Sequence, residues 1–236
     1  MRGIGIGLVA AVLAAGGGYY TAVRQMKTPA RVVAEFHKLY HARSEQTYNA
    51  TFWLGTPAQQ CPLDLWIFQE IIHETKPDVL VEAGTYKGGS AGYYASMFDL
   101  LGHGRVVTID IEAFPNLPQN PRITYVIGSS TDPQTVDKVK SYIKPGETVM
   151  VILDSDHHRD HVFKELQAYS PLVTEGKYLI VQDMHFNGHP ILPKYGPGPT
   201  EAVADFLAKK PPFQVDRSRE KLLLTFNAGG FLKRTR

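Results

Sequence analysis

The sequence predicts an α/β fold: a doubly wound, mostly parallel sheet with helices on both faces, preceded by N-terminal helices. Three observations lead there. From residue 77 onward, short apolar runs alternate with stretches of helical periodicity, and strands alternating with helices form parallel sheets covered on both faces. The first of these runs, Val79–Glu82, leads into a glycine-rich turn that opens a helix, the usual ligand-binding corner of such sheets. Finally, 236 residues, 43% of them hydrophobic and 20% charged, suffice for one α/β domain of ordinary size with a full core.

The elements follow in order. Pro29–Tyr48 reads as an amphipathic helix, with Val32, Val33, Phe36, Leu39 and Tyr40 at helical spacing. Asn49–Pro62, with Trp53, Gly55 and two prolines, is irregular. Leu63–Thr75 resumes a helix that Pro77 stops. Strands are expected at Val79–Glu82, Arg105–Ile109, Ile123–Ile127, Thr148–Leu153 and Tyr178–Gln182, with two more at Phe213–Val215 and Leu222–Phe226. Helices are expected at Ser90–Leu101, Pro133–Ile143, His161–Ser170 and Thr200–Lys209. The Pro/Gly-rich stretch His189–Pro199 has the length of a lid or binding loop. The chain thus divides into an apolar segment (1–24), a helical, substrate-side region (25–76) and the α/β domain (77–236).

The apolar segment, Ile4 to Tyr20, carries no charge until Arg24. As a helix it would span roughly 25 Å, just short of the ~30 Å hydrocarbon core. It reads as a signal anchor, with a cleaved secretory signal as the competing reading. Positive charge beyond the run (Arg24, Lys27, Arg31) exceeds that before it (Arg2), which places the globular part in the cytoplasm on a membrane-anchored chain. The net charge of +2, with 25 basic against 23 acidic residues, leaves no electrostatic footprint for nucleic acid. A single cysteine, Cys61, excludes an intramolecular disulfide framework and a multi-cysteine zinc site.

Three clusters of residues carry chemistry. The first is Glu82-Ala83-Gly84-Thr85-Tyr86-Lys87-Gly88-Gly89-Ser90. Its glycines permit close backbone approach, and free N–H groups at the start of the following helix suit an anion. The pattern is not the GxGxxG of dinucleotide sites; it favours a nucleoside whose anionic end is an amino-acid carboxylate, with Glu82 toward the ammonium. The second is Asp110, ending the next strand 28 residues after Glu82 and placed to accept from both ribose hydroxyls. Together the two predict an S-adenosylmethionine site. Gly84, Tyr86, Gly88, Ser90 and Ile111 join it, and Ser129 and Ser130, after the third strand, are placed for an adenine edge. The third is Asp154-Ser155-Asp156-His157-His158-Arg159-Asp160-His161, where an apolar strand runs into acids and imidazoles. Asp183 ends the following strand and would stand beside Asp154 if the two strands are neighbours. Asp154 and Asp183, with Gln182 as a carbonyl donor, form an oxygen-rich half-shell suited to Mg²⁺. His157, His158, His161 and His185 keep Zn²⁺ or Fe²⁺ open.

With these residues assembled, the chain resembles the cephalosporin hydroxylase/rhamnosyl O-methyltransferase family of class I methyltransferases from about Trp53 to the C-terminus. The resemblance rests on Trp53-Leu54-Gly55, Asp64-Leu65-Trp66 with Gln69-Glu70, the glycine loop, Asp110 and Leu153-Asp154-Ser155. It extends to Gly198-Pro199 with Ala202-Val203, and Thr225-x-Asn227-x-Gly229-Gly230-x-Leu232. It implies a Rossmann-like, seven-stranded sheet, cofactor contacts at Glu82, Gly84, Tyr86, Ser90, Asp110 and Ser130, and a divalent cation at Asp154, Gln182 and Asp183; Asp154 is also expected to border the cofactor. The family generally has an acid where this chain has Gln182; a carbonyl still ligates, but with one negative charge fewer. In the related catechol-type layout a lysine three residues after the first metal aspartate is the general base, and here that position is His157.

The expected activity is therefore methyl transfer from S-adenosylmethionine to a hydroxyl of a small molecule (sugar, phenol or other alcohol), with Asp154 and His157 as the catalytic pair. Two rival readings are a metal-dependent oxygenase or hydrolase built on Asp154 and the histidines, and a non-catalytic, membrane-tethered nucleotide-binding protein. A homo-oligomer is compatible with either class.

Overall fold

The computed structural model describes residues 28–236. Helix α1 (Pro29–Ala42) starts where Thr28 accepts a capping hydrogen bond from Arg31 N–H and proline occupies the first turn. The expected continuation to Tyr48 breaks into two short 3₁₀ turns, Ser44–Gln46 and Tyr48–Ala50; the Thr47 hydroxyl caps the Tyr40 and Arg43 carbonyls there, ending the helix. The expected irregular stretch contains a two-stranded hairpin, β1 (Phe52–Trp53) with β2 (Thr56–Pro57). Leu54 and Gly55 both take positive φ at its turn, matching the twist of the flanking strands. Helix α2 (Pro62–Thr75) ends on the left-handed Lys76.

The main sheet has seven strands: β3 (Val79–Ala83), β4 (Arg105–Asp110), β5 (Ile123–Ile127), β6 (Val149–Leu153), β7 (Tyr178–Val181), β8 (Phe213–Val215) and β9 (Phe231–Arg234). Their spatial order is β5-β4-β3-β6-β7-β9-β8, and only the pairs made by β9 are antiparallel. Helices α3 (Gly89–Leu101), α4 (Pro133–Ser141), α5 (Arg159–Tyr169) and α6 (Pro199–Ala208) connect the strands. Alternate residues of each strand point to opposite faces, and the core divides accordingly. On one face Val79, Val81 and Ala83 pack with Val136 and Val139 of α4, Val162 and Leu166 of α5, and Val203 and Phe206 of α6. On the other, Leu80 packs with Phe68 and Ile71 of α2 and with Tyr94 and Phe98 of α3. This is the doubly wound, mostly parallel sheet that the alternating pattern predicted.

Two expectations need correction. Leu222–Phe226 is not a strand; the last strand is β9, which pairs with β7 and β8. The apolar alternation of Leu224 and Phe226 is satisfied instead by packing on Cys61, Tyr40 and Tyr48. The segment is tied to α2 where Asp64 accepts from Thr225 Oγ1 at 2.5 Å and from Phe226 N–H at 2.8 Å. The membrane anchor expected at residues 1–24 lies outside the described residues. Among those described, no helix is long and apolar enough to cross a membrane: α1 and α2 have 14 residues each, about 21 Å against a ~30 Å core. The membrane-anchored placement with a cytoplasmic catalytic domain is withdrawn on that finding.

Candidate active site

Strand order reverses at β3, which has β4 on one side and β6 on the other, and open α/β sheets bind ligands at that crevice. Five carboxyl ends converge there, those of β3, β4, β5, β6 and β7. The cavity they surround has a volume of about 840 Å³, enough for a nucleoside-sized ligand together with a small second molecule.

The glycine loop forms one wall. Gly84 has φ +103°, and a Cβ there would sit 1.9 Å from the Asp154 carbonyl oxygen, so only glycine lets the loop lie against the start of the Asp154 segment. Gly84 N–H donates to the Ile109 carbonyl and Asp154 N–H to the Ala83 carbonyl, each at 2.8 Å. Tyr86 takes φ +46°, a conformation that non-glycine residues hold only when their surroundings fix it. What fixes it is Asp110, which accepts from Tyr86 N–H at 2.7 Å and from Glu112 N–H at 3.0 Å. Each carboxylate oxygen keeps lone-pair capacity toward the cavity.

Gly84, Tyr86, Ser90, Asp110, Ile111, Ser129, Ser130, Asp154, His157, Gln182 and Asp183 all line this one cavity. Glu82 and Gly88 do not. Glu82 is fully buried behind the wall, where its Oε2 accepts from Thr108 Oγ1 at 2.6 Å. Burial pushes its carboxyl up to about 7, against the opposing pull of the Ser90 and Thr108 hydroxyls. Gly88 is the left-handed cap of α3 and packs against Pro118. Glu82 therefore stands where it can brace the loop rather than touch an ammonium directly.

Opposite the loop, parallel pairing of β6 with β7 brings Leu153 beside Val181 and so carries Asp154 and Asp183 to the same sheet edge. Asp154, His157 and Asp183 each offer one ligand atom, all within 4.8 Å of one another, and His157 Nε2 lies 3.1 Å from Asp183 Oδ2. Burial, then the carboxylates of Asp183 and Glu82, drive the Asp154 carboxyl well above the usual range, against a hydrogen bond from Gln60. Asp183 has φ +54°, a second strained residue at this edge. The other histidines diverge. His158 is exposed and bonds Asp156 at 2.6 Å, and His161 bonds Ser130. His185 is buried against His37 and Phe226. Only His157 groups with both aspartates among the described residues. His185 reaches Asp183 alone, its Nδ1 3.6 Å from Oδ1, and His158 and His161 stand away from the pair, which weakens the support for a histidine-rich metal enzyme.

Comparison with known proteins gives this geometry a family. The description "Rhamnosyl O-methyltransferase/CmcI" matches residues 45–235. The chain belongs to the rhamnosyl O-methyltransferase/CmcI family. Rhamnosyl O-methyltransferase of Mycobacterium tuberculosis (strain ATCC 25618 / H37Rv) is 36% identical over 211 residues, covering 86% of this chain and 85% of its own. That of Mycobacterium leprae is 34% identical over 210 residues, covering 86% and 90%. Among solved structures, one described as CmcI with Mg and SAM superposes with a TM-score of 0.60 at 21% identity, covering 80% of this chain and 78% of the other. A putative caffeoyl-CoA O-methyltransferase from Staphylococcus aureus gives 0.51 at 16% identity, covering 84% and 90%. These structures bear out the seven-stranded methyltransferase fold, and family membership makes the chain an O-methyltransferase.

In this family member several residues beside the candidate site escaped the sequence reading. Gln60 donates from Nε2 to Asp154 Oδ2 at 2.7 Å across 94 positions of sequence, and no spacing rule points to it. His37 and His41 of α1 approach His185 with ring centroids 4.9 and 6.2 Å away. Burial, then the neighbouring His185 and His41, push His37 down to about 4, so it is neutral near pH 7. Glu165 of α5 gathers the Ser130 and Ser155 hydroxyls. In the sequence it is only an acid among helical residues.

Proposed function

We propose that the chain transfers a methyl group from S-adenosylmethionine to a hydroxyl of a small molecule, assisted by a divalent cation, Mg²⁺. One observation carries this reading: a nucleoside-type wall (Gly84, Tyr86, Asp110) and the Asp154–His157–Asp183 group face each other across a single cavity. In it, Asp110 accepts from the ribose hydroxyls, Ser129 and Ser130 meet the adenine edge with Ile111 at the rim, and Gly84 and Ser90 border the amino-acid end. Glu82 supports that end from behind. The division into a substrate-side region (25–76) and a catalytic domain (77–236) belongs to the same proposal. Gln59 and Gln60 from the first part line the cavity with His185 and Phe186 from the second.

The residues fit a divalent cation. Asp154 and Asp183 crowd one place with like charge, which a cation relieves. Gln182 lines the cavity, and its buried amide nitrogen has no hydrogen-bond partner among the described residues. A half-turn of the amide would put the carbonyl in that position. When bound, the cation makes an acceptor hydroxyl more acidic. His157 then takes the hydroxyl proton, and Asp183 Oδ2, 3.1 Å from Nε2, stabilises the imidazolium that forms. As the new O–CH₃ bond forms, the sulfur–methyl bond breaks and the sulfonium becomes a neutral thioether. The cavity's contribution is to hold both reactants in line for attack.

The relatives' name supports a sugar hydroxyl as the acceptor. Calorimetric titration with S-adenosylmethionine tests the cofactor half directly. The expected result is binding by the wild type and a loss of at least tenfold in Asp110→Ala. Absence of binding with and without Mg²⁺ contradicts the proposal.

A further inference from the structure

The nucleobase end of the cavity is wired by one buried carboxylate. Glu165, fully buried on α5, accepts at Oε1 from Ser130 Oγ at 2.5 Å and from Ser155 Oγ at 2.6 Å. Its other oxygen, Oε2, is buried without a hydrogen-bond partner among the described residues, a costly arrangement that a purely structural residue has little reason to keep. A carboxylate only accepts, and a serine hydroxyl has a single proton. Both serine protons therefore point inward, at Glu165. Ser130 Oγ lies 3.0 Å from His161 Nε2; with its own proton already given to Glu165, it can only accept there, so Nε2 carries hydrogen. Ser155 Oγ is left with lone pairs and no further partner among the described residues, on a side chain that lines the cavity beside Gly128, Ser129, Ser130 and His161. With its proton committed to Glu165, Ser155 Oγ offers the cavity an acceptor and no donor.

We infer that Glu165 is a positioning residue that fixes the Ser155 hydroxyl as a hydrogen-bond acceptor, so that this end of the cavity selects a 6-amino purine and rejects a 6-oxo purine. The inference rests on the S-adenosylmethionine reading above and adds to it the origin of base selectivity. An exocyclic amino group donates to Ser155 Oγ. A ring carbonyl in the same place opposes lone pair to lone pair and leaves two acceptors unpaired, a mismatch that sites built to hydrogen-bond penalise strongly.

The test is calorimetric titration of the full chain with S-adenosylhomocysteine and with its 6-oxo counterpart, S-inosylhomocysteine, in the wild type, Ser155→Ala and Glu165→Gln, with circular dichroism to show that each variant is folded. The wild type is expected to favour the amino ligand by roughly tenfold to a hundredfold. Ser155→Ala should bring the ratio to within about threefold, chiefly by losing affinity for the amino ligand. Glu165→Gln, whose amide also donates, should lower the ratio without touching either ligand. Equal affinities in the wild type, or a ratio unchanged in both variants, overturns the inference while leaving the cofactor reading standing. Failure of the wild type to bind either ligand overturns both.

Discussion

Replacing Gly84 by alanine sets a Cβ 1.9 Å from the Asp154 carbonyl oxygen, 2.6 Å from its carbonyl carbon and 3.1 Å from Ser155 N. All three are backbone atoms, so no side chain can rotate away. To restore ordinary contact the start of the Asp154 segment must retreat by more than 1 Å from the loop, by roughly the overlap that van der Waals radii forbid. The φ of +103° adds backbone strain of about 1–3 kcal/mol, and the overpacking costs about 1–3 kcal/mol more. The combined loss of about 2–6 kcal/mol corresponds to a Tm lowered by roughly 5–20 °C for a chain of this size. Displacing Asp154 by that distance should also reduce methyl transfer by on the order of a hundredfold at temperatures where the variant remains folded. Thermal denaturation followed by circular dichroism, and initial rates at 20 °C below the variant's midpoint, measure the two effects separately. A variant with wild-type Tm and wild-type rate refutes the claim that the loop and the Asp154 segment are held in contact by the absence of a side chain.

Three further outcomes are expected. Gln60→Ala removes the donor that orients Asp154 and should raise the Mg²⁺ concentration for half-maximal rate by roughly tenfold or more; an unchanged Mg²⁺ requirement contradicts the role given to Gln60. Burial pushes the Asp64 carboxyl from 3.8 up to about 7, against hydrogen bonds from Thr225 and Phe226. A raised carboxyl stabilises the fold most below its unfolded value and loses that contribution as pH rises through the folded one. Wild-type stability should thus decline between about pH 4 and 7, by at most about 4 kcal/mol from this group, and the slope should flatten in Asp64→Asn; equal slopes in urea titrations of the two proteins contradict it. Glu147, held down to about 2 chiefly by its hydrogen bonds from Arg105, acts in the opposite sense. Its contribution is present above about 4.5 and fades as pH falls toward 2, and Glu147→Gln should cost no more than about 1 kcal/mol at pH 7 because water screens the pair.

Much of this fold is legible in the sequence because its signals are local. Val79–Glu82, Val149–Leu153 and Tyr178–Val181 are apolar runs of strand length, and the glycines after Glu82 mark the turn into α3. Asp154 and Asp183 each end an apolar run and stand side by side if those strands are neighbours; the structure makes them neighbours and brings the two carboxylates together. The closing strand differs from the expected one because Leu222, Leu224 and Phe226 alternate as a strand does, while Leu224 and Phe226 pack on Cys61, Tyr40 and Tyr48 and Leu222 packs on the α2/α3 side of the core. Gln60 and Glu165 were invisible for a related reason: each acts through partners on other elements, and a lone glutamine in a loop or glutamate in a helix has no period to betray it. Glu82 shows a subtler limit. Its position at the strand end was read correctly, but alternation turns its side chain to the α2/α3 face and buries it behind Thr108, so its part in the site is support.

The most direct measurement of the central claim is transfer of a labelled methyl group from S-adenosylmethionine to pooled sugars, phenols and simple alcohols, run with Mg²⁺, with chelator and with Asp154→Ala. Label is expected on a hydroxyl oxygen, foremost of a sugar, with the rate reduced by chelator and lost in Asp154→Ala. Label transfer that is indifferent to both chelator and Asp154→Ala contradicts the role of the Asp154–His157–Asp183 group. No transfer to any hydroxyl contradicts the assigned reaction.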